Sequence, residues 1–166
     1  MLLIDFSDAQ ASGDWQAIGD RVMGGVSQSV WLPQELSGAA CAVFTGVVSL
    51  ANNGGFASVR SPDVSWDLRE YRALRLTARG DGRTYKLSLS DDAAFDSVQH
   101  QSMFAAFPGD WQCIDLPFSG FVARRRGRTL IDAPRLDCSA IRRLGLMTEL
   151  RQGGPFRLEL LRVEAV

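Results

Sequence analysis

The sequence predicts an all-β protein, a single-domain antiparallel sandwich or jelly roll over residues 1–166. Three observations predict this fold: short runs that alternate apolar and polar residues, turn signals between these runs at regular spacing, and weak helical patterns. The chain has 166 residues, of which 46% are hydrophobic and 22% are charged. This length and composition are sufficient for one domain with its own hydrophobic core.

Ten segments have the strand pattern, and they follow one another along the chain. They are residues 2–6, 26–31, 40–50, 55–61, 72–79, 83–90, 98–106, 111–122, 143–149 and 155–164. Gly80-Asp81-Gly82 predicts a hairpin turn between the fifth and sixth segments. Gly153-Gly154 predicts a second hairpin between the last two segments. A short helical turn is expected at 14–18.

Two segments, Gly19–Ser27 and Leu50–Arg60, combine a Gly-Gly pair with Asp, Asn, Ser and Arg. Glycine pairs allow tight turns and close backbone approach, and asparagine tolerates the left-handed conformation. Ser58 and Arg60 then alternate with apolar residues, as in a half-buried strand. Each segment alone is compatible with a hairpin that has a solvated face. Together they predict two glycine corners that lie side by side and form one polar face.

Charge and cysteine content argue against several classes of protein. A net charge of −1 gives no global field for nucleic acid or an anionic membrane, and the run Arg124–Arg128 is interpreted as a solvated loop. Cys41, Cys113 and Cys138 are odd in number and widely spaced, which fits neither a disulfide framework nor a zinc site. Cys41 and Cys113 are expected to be buried thiols. No segment resembles a membrane span, a signal peptide or a transit peptide, so we expect a cytosolic protein.

The residues that could carry catalysis do not form a recognisable constellation. His100 is the only histidine and no Gly-x-Ser-x-Gly motif is present, so neither a catalytic triad nor a zinc site is expected. His100 is expected to be exposed on its strand. Asp91, Asp92 and Asp96 are interpreted as loop residues without the Asp-x-Asp spacing of calcium ligands. We expect a binding domain without a cofactor. An enzyme would depend on a buried Asp20 tuned by Arg60, an arrangement that is more commonly structural.

The tryptophans have two possible roles in such a domain. Trp111 begins a predicted strand and is expected to pack in the core, and Trp15 precedes the first glycine pair and could cover it. A tryptophan beside amides and arginine can also stack on a sugar ring.

Motifs from residue 15 to the C-terminus occur in an order that resembles a known family. They are Trp15 with Ile18–Ser27, Phe44–Leu50, Asn52–Arg60, Gly80–Tyr85, Trp111 with Leu116–Phe121, Arg126–Arg128, Ile141–Met147 and Gly154–Glu159. The series resembles the complex I intermediate-associated protein 30 family, assembly factors for respiratory NADH:ubiquinone oxidoreductase. The resemblance implies a galactose-binding-like jelly roll and a non-enzymatic role in holding or chaperoning membrane-arm intermediates. Mitochondrial members carry a transit sequence, whereas this chain starts at the domain as bacterial members do, which implies a bacterial, cytoplasmic protein.

Two functions are therefore predicted for the polar face. The first is binding of a protein partner, namely an assembly intermediate of respiratory complex I. The second is binding of a carbohydrate or another small ligand, since jelly rolls of this kind often bind sugars on a concave sheet. No nucleic acid partner is expected. The residues predicted to bind the partner or ligand are Asp20, Asn52, Asn53, Ser58, Arg60 and Arg83.

Overall fold

A computed structural model describes residues 1–20, 24–36, 38–94, 96–149 and 151–166. The middle of the first glycine segment, residues 21–23, lies outside the described residues. The strands in chain order are β1 (Leu2–Asp5), β2 (Gln16–Gly19), β3 (Gln28–Leu36), β4 (Ala39–Val48), β5 (Ala57–Arg60), β6 (Ala73–Gly80), β7 (Thr84–Ser90), β8 (Gln99–Ala105), β9 (Gln112–Pro117), β10 (Val122–Arg125), β11 (Arg128–Thr129), β12 (Arg143–Thr148) and β13 (Gly154–Ala165). Each of the ten predicted segments overlaps one of these strands. Within the described ranges, no helix is long and apolar enough to cross a membrane.

The strands form two antiparallel sheets that pack face to face. The six-stranded sheet has the order β3-β4-β13-β6-β9, with β1 also paired to β13. The seven-stranded sheet has the order β11-β10-β8-β7-β12-β5-β2. Alternate residues of each sheet point inward and meet in one buried cluster, which includes Leu74, Leu76, Leu158 and Leu160 from the first sheet and Leu87, Leu89, Leu144 and Leu146 from the second. The predicted all-β sandwich is confirmed.

Aromatic side chains extend this core beneath β2 and β3. Trp15 and Trp31 stack with their ring centroids 4.5 Å apart, and Phe6 meets both rings edge-on. The indole nitrogen of Trp15 donates a 3.0 Å hydrogen bond to the carbonyl of Ala11, which satisfies its polar group inside the core. Trp15 is therefore a core residue.

The two hairpins predicted from glycine-containing turns are wrong. β6 pairs with β13 and β9 in the six-stranded sheet, whereas β7 pairs with β8 and β12 in the seven-stranded sheet. Gly80-Asp81-Gly82 is therefore a corner at which the chain passes from one sheet to the other. Gly153-Gly154 lies at a second corner, between β12 and β13. Alternation of apolar and polar residues identifies the buried face of a strand but not its neighbour, so it cannot distinguish a hairpin from a corner.

Polar side chains tie these two corners together. The Asp81 carboxylate accepts hydrogen bonds from the Tyr85 hydroxyl at 3.0 Å and from the backbone N–H of Arg157 at 2.8 Å. The Arg83 guanidinium donates to the carbonyls of Gln152 at 2.9 Å and Gly153 at 2.7 Å. Asp81 and Arg83 bind backbone groups on the other side of the corner. These side-chain hydrogen bonds take the place of the backbone hydrogen bonds that a hairpin would have formed.

We expect Arg83→Met to lower the free energy of unfolding by about 2 kcal/mol, because two backbone carbonyls lose a charged donor. Urea denaturation monitored by tryptophan fluorescence measures the change. Arg135, an exposed arginine, provides the matched control, and Arg135→Met should shift the midpoint little. Equal shifts for the two variants would contradict the structural role of Arg83.

Two further segments differ from the predicted secondary structure. Residues 14–18 were expected to form a helical turn, but Gln16–Gly19 is a strand that pairs with β5. The run Arg124–Arg128 was expected to be a loop, but it lies in the β10–β11 hairpin, with positive φ at Arg126 and Gly127. β2 and the β10–β11 hairpin lie at the two edges of the seven-stranded sheet. Short strands at an edge have few of the alternating apolar residues from which a strand is predicted.

Three side chains also lie elsewhere than predicted. Cys113 is exposed, whereas Cys41 is buried as expected, and the cysteines are free. Trp111 is only half-buried and lies under the Arg79 guanidinium, 4.6 Å from its ring centroid. His100 is buried, and its Nε2 lies 3.1 Å from the carbonyl of Pro134. His100 pairs with Leu89 in the register, which places it on the inward face of β8.

Candidate functional site

The two glycine segments meet at the carboxylate of Asp20. Asp20 is 0% exposed and accepts hydrogen bonds from the Ser27 N–H at 3.0 Å, the Ser27 hydroxyl at 2.6 Å and the Gly55 N–H at 2.8 Å. Ser27 in turn accepts a 2.9 Å hydrogen bond from the Ser49 N–H. The predicted side-by-side arrangement of the glycine corners is therefore present, and a buried acid holds it together. We refer to Asp20, Ser27 and Gly55 as the Asp20 clamp.

Gly25 and Gly54, next to the Asp20 clamp, must be glycines because no space is left there for a side chain. A Cβ added at Gly25 would lie 2.3 Å from the Asp20 Cγ, and one added at Gly54 would lie 2.5 Å from its Oδ2. Neither residue has a positive φ. The turn within the second segment also uses asparagine as predicted, since Asn52 and Asn53 have φ values of 56° and 57°.

Hydrogen bonds determine the charge state of the clamp. Burial of the Asp20 carboxyl raises its pKa, but hydrogen bonds from the Ser27 side chain and from the Gly55, Ser27 and Phe56 backbone outweigh burial. The net result is a pKa below the ordinary value of 3.8. Asp20 is therefore an ionised structural acid.

The six predicted binding residues occupy three separate locations. Asp20 lies in the clamp, and Asn52 and Asn53 lie on the exposed turn beside it. Ser58 and Arg60 lie on β5, in the seven-stranded sheet, where the Ser58 hydroxyl donates to the Ile18 carbonyl at 2.7 Å. Arg83 lies at the corner already described. Their role in binding remains a prediction.

Asp20 and Arg60 do not lie together. Gly19 pairs with Ala57, whereas Gln16 pairs with Arg60, so Asp20 and Arg60 are at opposite ends of the β2–β5 ladder. At about 3.3 Å per residue, they are roughly 13 Å apart along the strands. The acid–cation pair that an enzyme mechanism would have needed at these residues is therefore not formed.

Arg60 belongs instead to the outer face of the seven-stranded sheet. Residues that are opposite in the register share a face, and here they form three rows across the strands. The first row is Met103, Lys86, Met147, Ser58 and Ile18. The middle row is Val122, Gln101, Ser88, Gly145, Arg60 and Gln16. The third row contains the pairs Arg124–Gln99 and Ser90–Arg143. We call these residues the outer rows.

Every charged residue in the outer rows is cationic. They are Lys86, Arg60, Arg143 and Arg124, and the acids paired with Lys86 and Arg143 come from outside the rows. The Lys86 Nζ, which is almost fully buried, lies 3.0 Å from the Glu149 carboxylate. The Arg143 guanidinium lies 2.6 Å from the Asp63 carboxylate. The outer face of the other sheet differs, because its Arg75 is paired with Asp115 at 2.7 Å and its Arg79 and Arg157 are both paired with Glu159.

A groove with a volume of about 570 Å³ opens at one end of the outer rows. Arg60 and Arg143 both line it, together with Gln16, Trp15 and Pro62. Burial, and then the charge of Arg143, lower the pKa of Arg60 below its ordinary value. Asp14 and Asp63 also line the groove, so it contains two acids beside its two arginines.

Neighbouring atoms leave no space for a side chain at Gly145, which lies between Ser88 and Arg60 in the middle row. A Cβ there would lie 2.6 Å from the Ser88 Oγ and 3.7 Å from the Arg60 Cγ. Within the described ranges, no group of three or more His, Cys, Asp or Glu residues is placed to hold a metal ion. The arrangement offers hydrogen-bond donors and cations for binding.

The outer rows, as far as the structure describes them, contain no aromatic side chain. Trp15 and Trp31 are in the aromatic core, and Trp66 also packs against the core. Trp111 lies under Arg79 on the opposite sheet. A flat sugar-stacking platform is therefore not formed by these tryptophans.

Sequence reasoning missed most of these residues, including Lys86, Gln101, Arg143, Gly145 and Met147. Their signal was present in the alternation of the predicted strands 83–90, 98–106 and 143–149. That alternation showed which residues face outward. It could not show that β7, β8 and β12 are neighbours.

Two antiparallel sheets that pack face to face define a β-sandwich protein. The Family 11 carbohydrate-binding module of the cellulase Lic26A-Cel5E of Clostridium thermocellum has the same fold, with a TM-score of 0.72 over 98% of this chain and 94% of that chain at 13% identity. A family 30 carbohydrate-binding module has a TM-score of 0.55 over 86% and 92% of the two chains at 12% identity. At these identities the likeness concerns the fold alone.

The sequence also matches the family model of complex I intermediate-associated protein 30, over residues 4–160. The chain therefore belongs to the complex I intermediate-associated protein 30 family. The mitochondrial protein of this name from Drosophila melanogaster is 25% identical over 180 residues, which cover 96% of this chain and 60% of the relative. Its counterpart from Mus musculus is 30% identical over 101 residues, which cover 58% of this chain and 31% of the relative. The chain thus spans less than two thirds of these relatives.

The prediction of a cytosolic, cytoplasmic protein is wrong. The relatives named for complex I assembly are mitochondrial proteins. The prediction relied on the first residues, but a targeting sequence is a separate signal from the pattern of the folded domain.

Proposed function

We propose that this protein is a non-enzymatic assembly factor for respiratory complex I that binds a protein partner through the outer rows of its seven-stranded sheet. Membership of the complex I intermediate-associated protein 30 family supports the assembly role. The composition of the outer rows supports the binding surface, because amides, hydroxyls, methionines and cations suit a protein interface. Methionine adapts to irregular partner surfaces, and Met103 is 54% exposed.

The single observation that carries this choice over a carbohydrate is the absence of aromatic side chains from the described outer rows. Sugar sites combine flat aromatic faces with a few polar groups. Here the polar groups are present, but Trp15, which lines the groove, is only 8% exposed, and Trp31, Trp66 and Trp111 lie outside the rows. The likeness to carbohydrate-binding modules keeps sugar binding as the alternative, which the following experiment tests.

The assembly role is tested by deleting the gene in its native organism. We expect the content of complete complex I, measured by native gel electrophoresis, and its NADH:ubiquinone activity to fall to less than about half. The wild-type chain should restore both, whereas a chain with Arg60→Glu and Arg143→Glu should not.

The matched control reverses charge on the opposite sheet. Arg75→Glu should restore complex I content, because Arg75 lies outside the proposed surface. Normal complex I in the deletion strain would refute the assembly role. Calorimetric titration with the β-1,3-1,4-mixed-linked tetrasaccharide bound by a related module should give no heat of binding, and saturable binding would favour the carbohydrate alternative.

A further inference from the structure

The hairpin of β10 and β11 is the most basic part of the sequence. Residues 122–131 contain four arginines and no acid, although the whole chain has a net charge of −1. Two acids lie beside them. The Asp96 carboxylate contacts the guanidinium groups of Arg125 at 3.4 Å and Arg126 at 2.6 Å, and Asp132 follows the hairpin in the sequence. Four arginines against two acids leave an excess of positive charge at the hairpin after these pairs are counted.

The ion pairs of the hairpin are exposed to solvent. The side chains of Arg125 and Arg126 are 53% and 78% exposed, and that of Asp96 is 40% exposed. Exposed pairs of this kind contribute little free energy and are screened by salt, so phosphate groups of a partner surface can compete with Asp96 for these arginines. Arg128 is exposed as well, and it forms no ion pair with a described residue. The hairpin therefore has guanidinium groups that remain available to an anionic surface.

An almost fully exposed aliphatic side chain lies next to these arginines. Ile131 is 93% exposed, more than any other large hydrophobic residue in the described ranges. The Leu130 N–H donates a 3.0 Å hydrogen bond to the Ala123 carbonyl, so the β10–β11 ladder continues to Leu130, and Ile131 follows directly. Val122, where β10 begins, is 43% exposed. Ile131 and Val122 thus place apolar surface in water at the same end of the hairpin, where burial against a partner would be favourable.

The hairpin forms a ridge at one margin of the molecule. β11 is the last strand of the seven-stranded sheet, so one side of it has no neighbouring strand among the described residues. Arg128 and Ile131 are three residues apart, roughly 10 Å along an extended chain. A ridge that combines cations with apolar side chains matches the surface of an anionic bilayer, where phosphate groups lie above the acyl-chain boundary. Nucleic acid would satisfy the arginines but leave Ile131 and Val122 in water.

From these observations we propose that the β10–β11 hairpin is a membrane-contact site that rests on an anionic phospholipid bilayer. Ile131 and Val122 reach the acyl-chain boundary, and Arg126 and Arg128 bind phosphate groups, which the planar guanidinium fork fits. The contact goes beyond the proposed assembly role and does not rest on it. Because the hairpin lies at one edge of the seven-stranded sheet, the outer rows nearer β2 stay open to a protein partner while the hairpin touches lipid.

Co-sedimentation with lipid vesicles tests the proposal. The full chain should bind vesicles made of equal parts of phosphatidylcholine and phosphatidylglycerol, and binding should weaken as salt rises. Binding to vesicles of phosphatidylcholine alone should be at least about tenfold weaker, because the arginines then lack anionic lipid. Equal binding to the two kinds of vesicle would overturn the proposal, and so would an absence of binding to the anionic vesicles.

Paired variants locate the contact. Ile131→Ser should weaken binding to the anionic vesicles by about tenfold. The double variant Arg126→Gln and Arg128→Gln should weaken it by about tenfold or more. The matched controls lie on the opposite sheet, where Val30→Ser, at a valine that is 49% exposed, and Arg75→Gln should leave binding unchanged. Binding that does not respond to Ile131→Ser, or that responds equally to Val30→Ser, would overturn the proposal.

A gain of binding distinguishes lipid contact from a loss of structure. Ile131→Trp should strengthen binding to the anionic vesicles, because tryptophan favours the membrane–water interface. A variant that merely disturbed the fold would not bind more tightly. Weaker or unchanged binding of this variant would contradict the position of Ile131 in the interface.

A competition experiment separates lipid from nucleic acid. Single-stranded oligothymidine, added at the phosphate concentration of the anionic vesicles, should not release the chain from them. Release would assign the arginines to nucleic acid and overturn the proposal. The vesicle experiments use the purified chain, so their failure leaves the assembly role untouched, and normal complex I in the deletion strain leaves the membrane contact untouched.

Discussion

Replacement of Asp20 by alanine is expected to lower the free energy of unfolding by about 4 kcal/mol. The change leaves the Ser27 N–H, the Ser27 hydroxyl and the Gly55 N–H buried without their acceptor. Each stranded donor costs about 1–3 kcal/mol, and a buried charged partner is at the upper end of that range. Urea denaturation measures the loss. Asp110→Ala, at an exposed carboxyl, is the matched control and should change the midpoint little.

The same clamp predicts a dependence of stability on pH. Because the pKa of Asp20 is lowered in the folded state, its stabilising contribution is present above the ordinary value of 3.8 and is lost as pH falls through the folded-state pKa. Asp20→Asn removes this titration. The difference in unfolding free energy between wild type and Asp20→Asn should therefore be constant near neutral pH and shrink below about pH 4. A difference that grows on acidification would show that Asp20 is protonated in the folded protein.

Replacement of Gly25 by alanine is expected to cost about 3 kcal/mol or more. The added Cβ would lie 2.3 Å from the Asp20 Cγ, so either the carboxylate or the turn must move. Loss of the clamp geometry then weakens the hydrogen bonds to Ser27 and Gly55. Thermal and urea unfolding measure the loss. Gly120→Ala is the control, because a Cβ there meets nothing within 4 Å.

A double-mutant cycle separates the collision from other effects of the new methyl group. The three nearest atoms to the added Cβ at Gly25 all belong to the Asp20 side chain. In an Asp20→Ala background, Gly25→Ala should therefore lower the free energy of unfolding further by less than about 1 kcal/mol. Strict additivity of the two changes would contradict the packing of Asp20 against Gly25.

The clamp also matters for the proposed binding surface. It holds the Gly19 end of β2, while Gln16 and Ile18 of the same strand belong to the outer rows. β2 is a short strand at the sheet edge, and β5 is its paired neighbour. A loosened clamp would free this edge, so clamp variants should weaken partner binding without removing any cation from the groove.

Several local features could be predicted from the sequence because short-range chemistry decides them. The alternation in 83–90 and 143–149 correctly identified strands, since a strand with one buried face requires a period of two. Asn52 and Asn53 correctly marked a left-handed turn. The pairing of the two glycine segments was also anticipated, although the acid that joins them was interpreted as a binding residue.

Other features depended on which strands become neighbours. The corner at Asp81 resembled a hairpin because the sequence pattern is the same in both cases. His100 appeared polar and therefore exposed, but its register against Leu89 turned it inward. Cys113 lies on an apolar stretch, yet its strand is at the edge of the six-stranded sheet and presents it to solvent.

The sequence by itself determined the class of fold, most of the strand segments and the family, because these depend on local alternation, turn chemistry and ordered motifs. Only the tertiary structure decided where polar residues act. It placed Asp20 inside a clamp and Arg83 inside a corner, and it gathered Arg60, Arg143 and Lys86 from three strands onto one face. The physical reason is that strand pairing joins residues far apart in the chain, and no local pattern encodes that register.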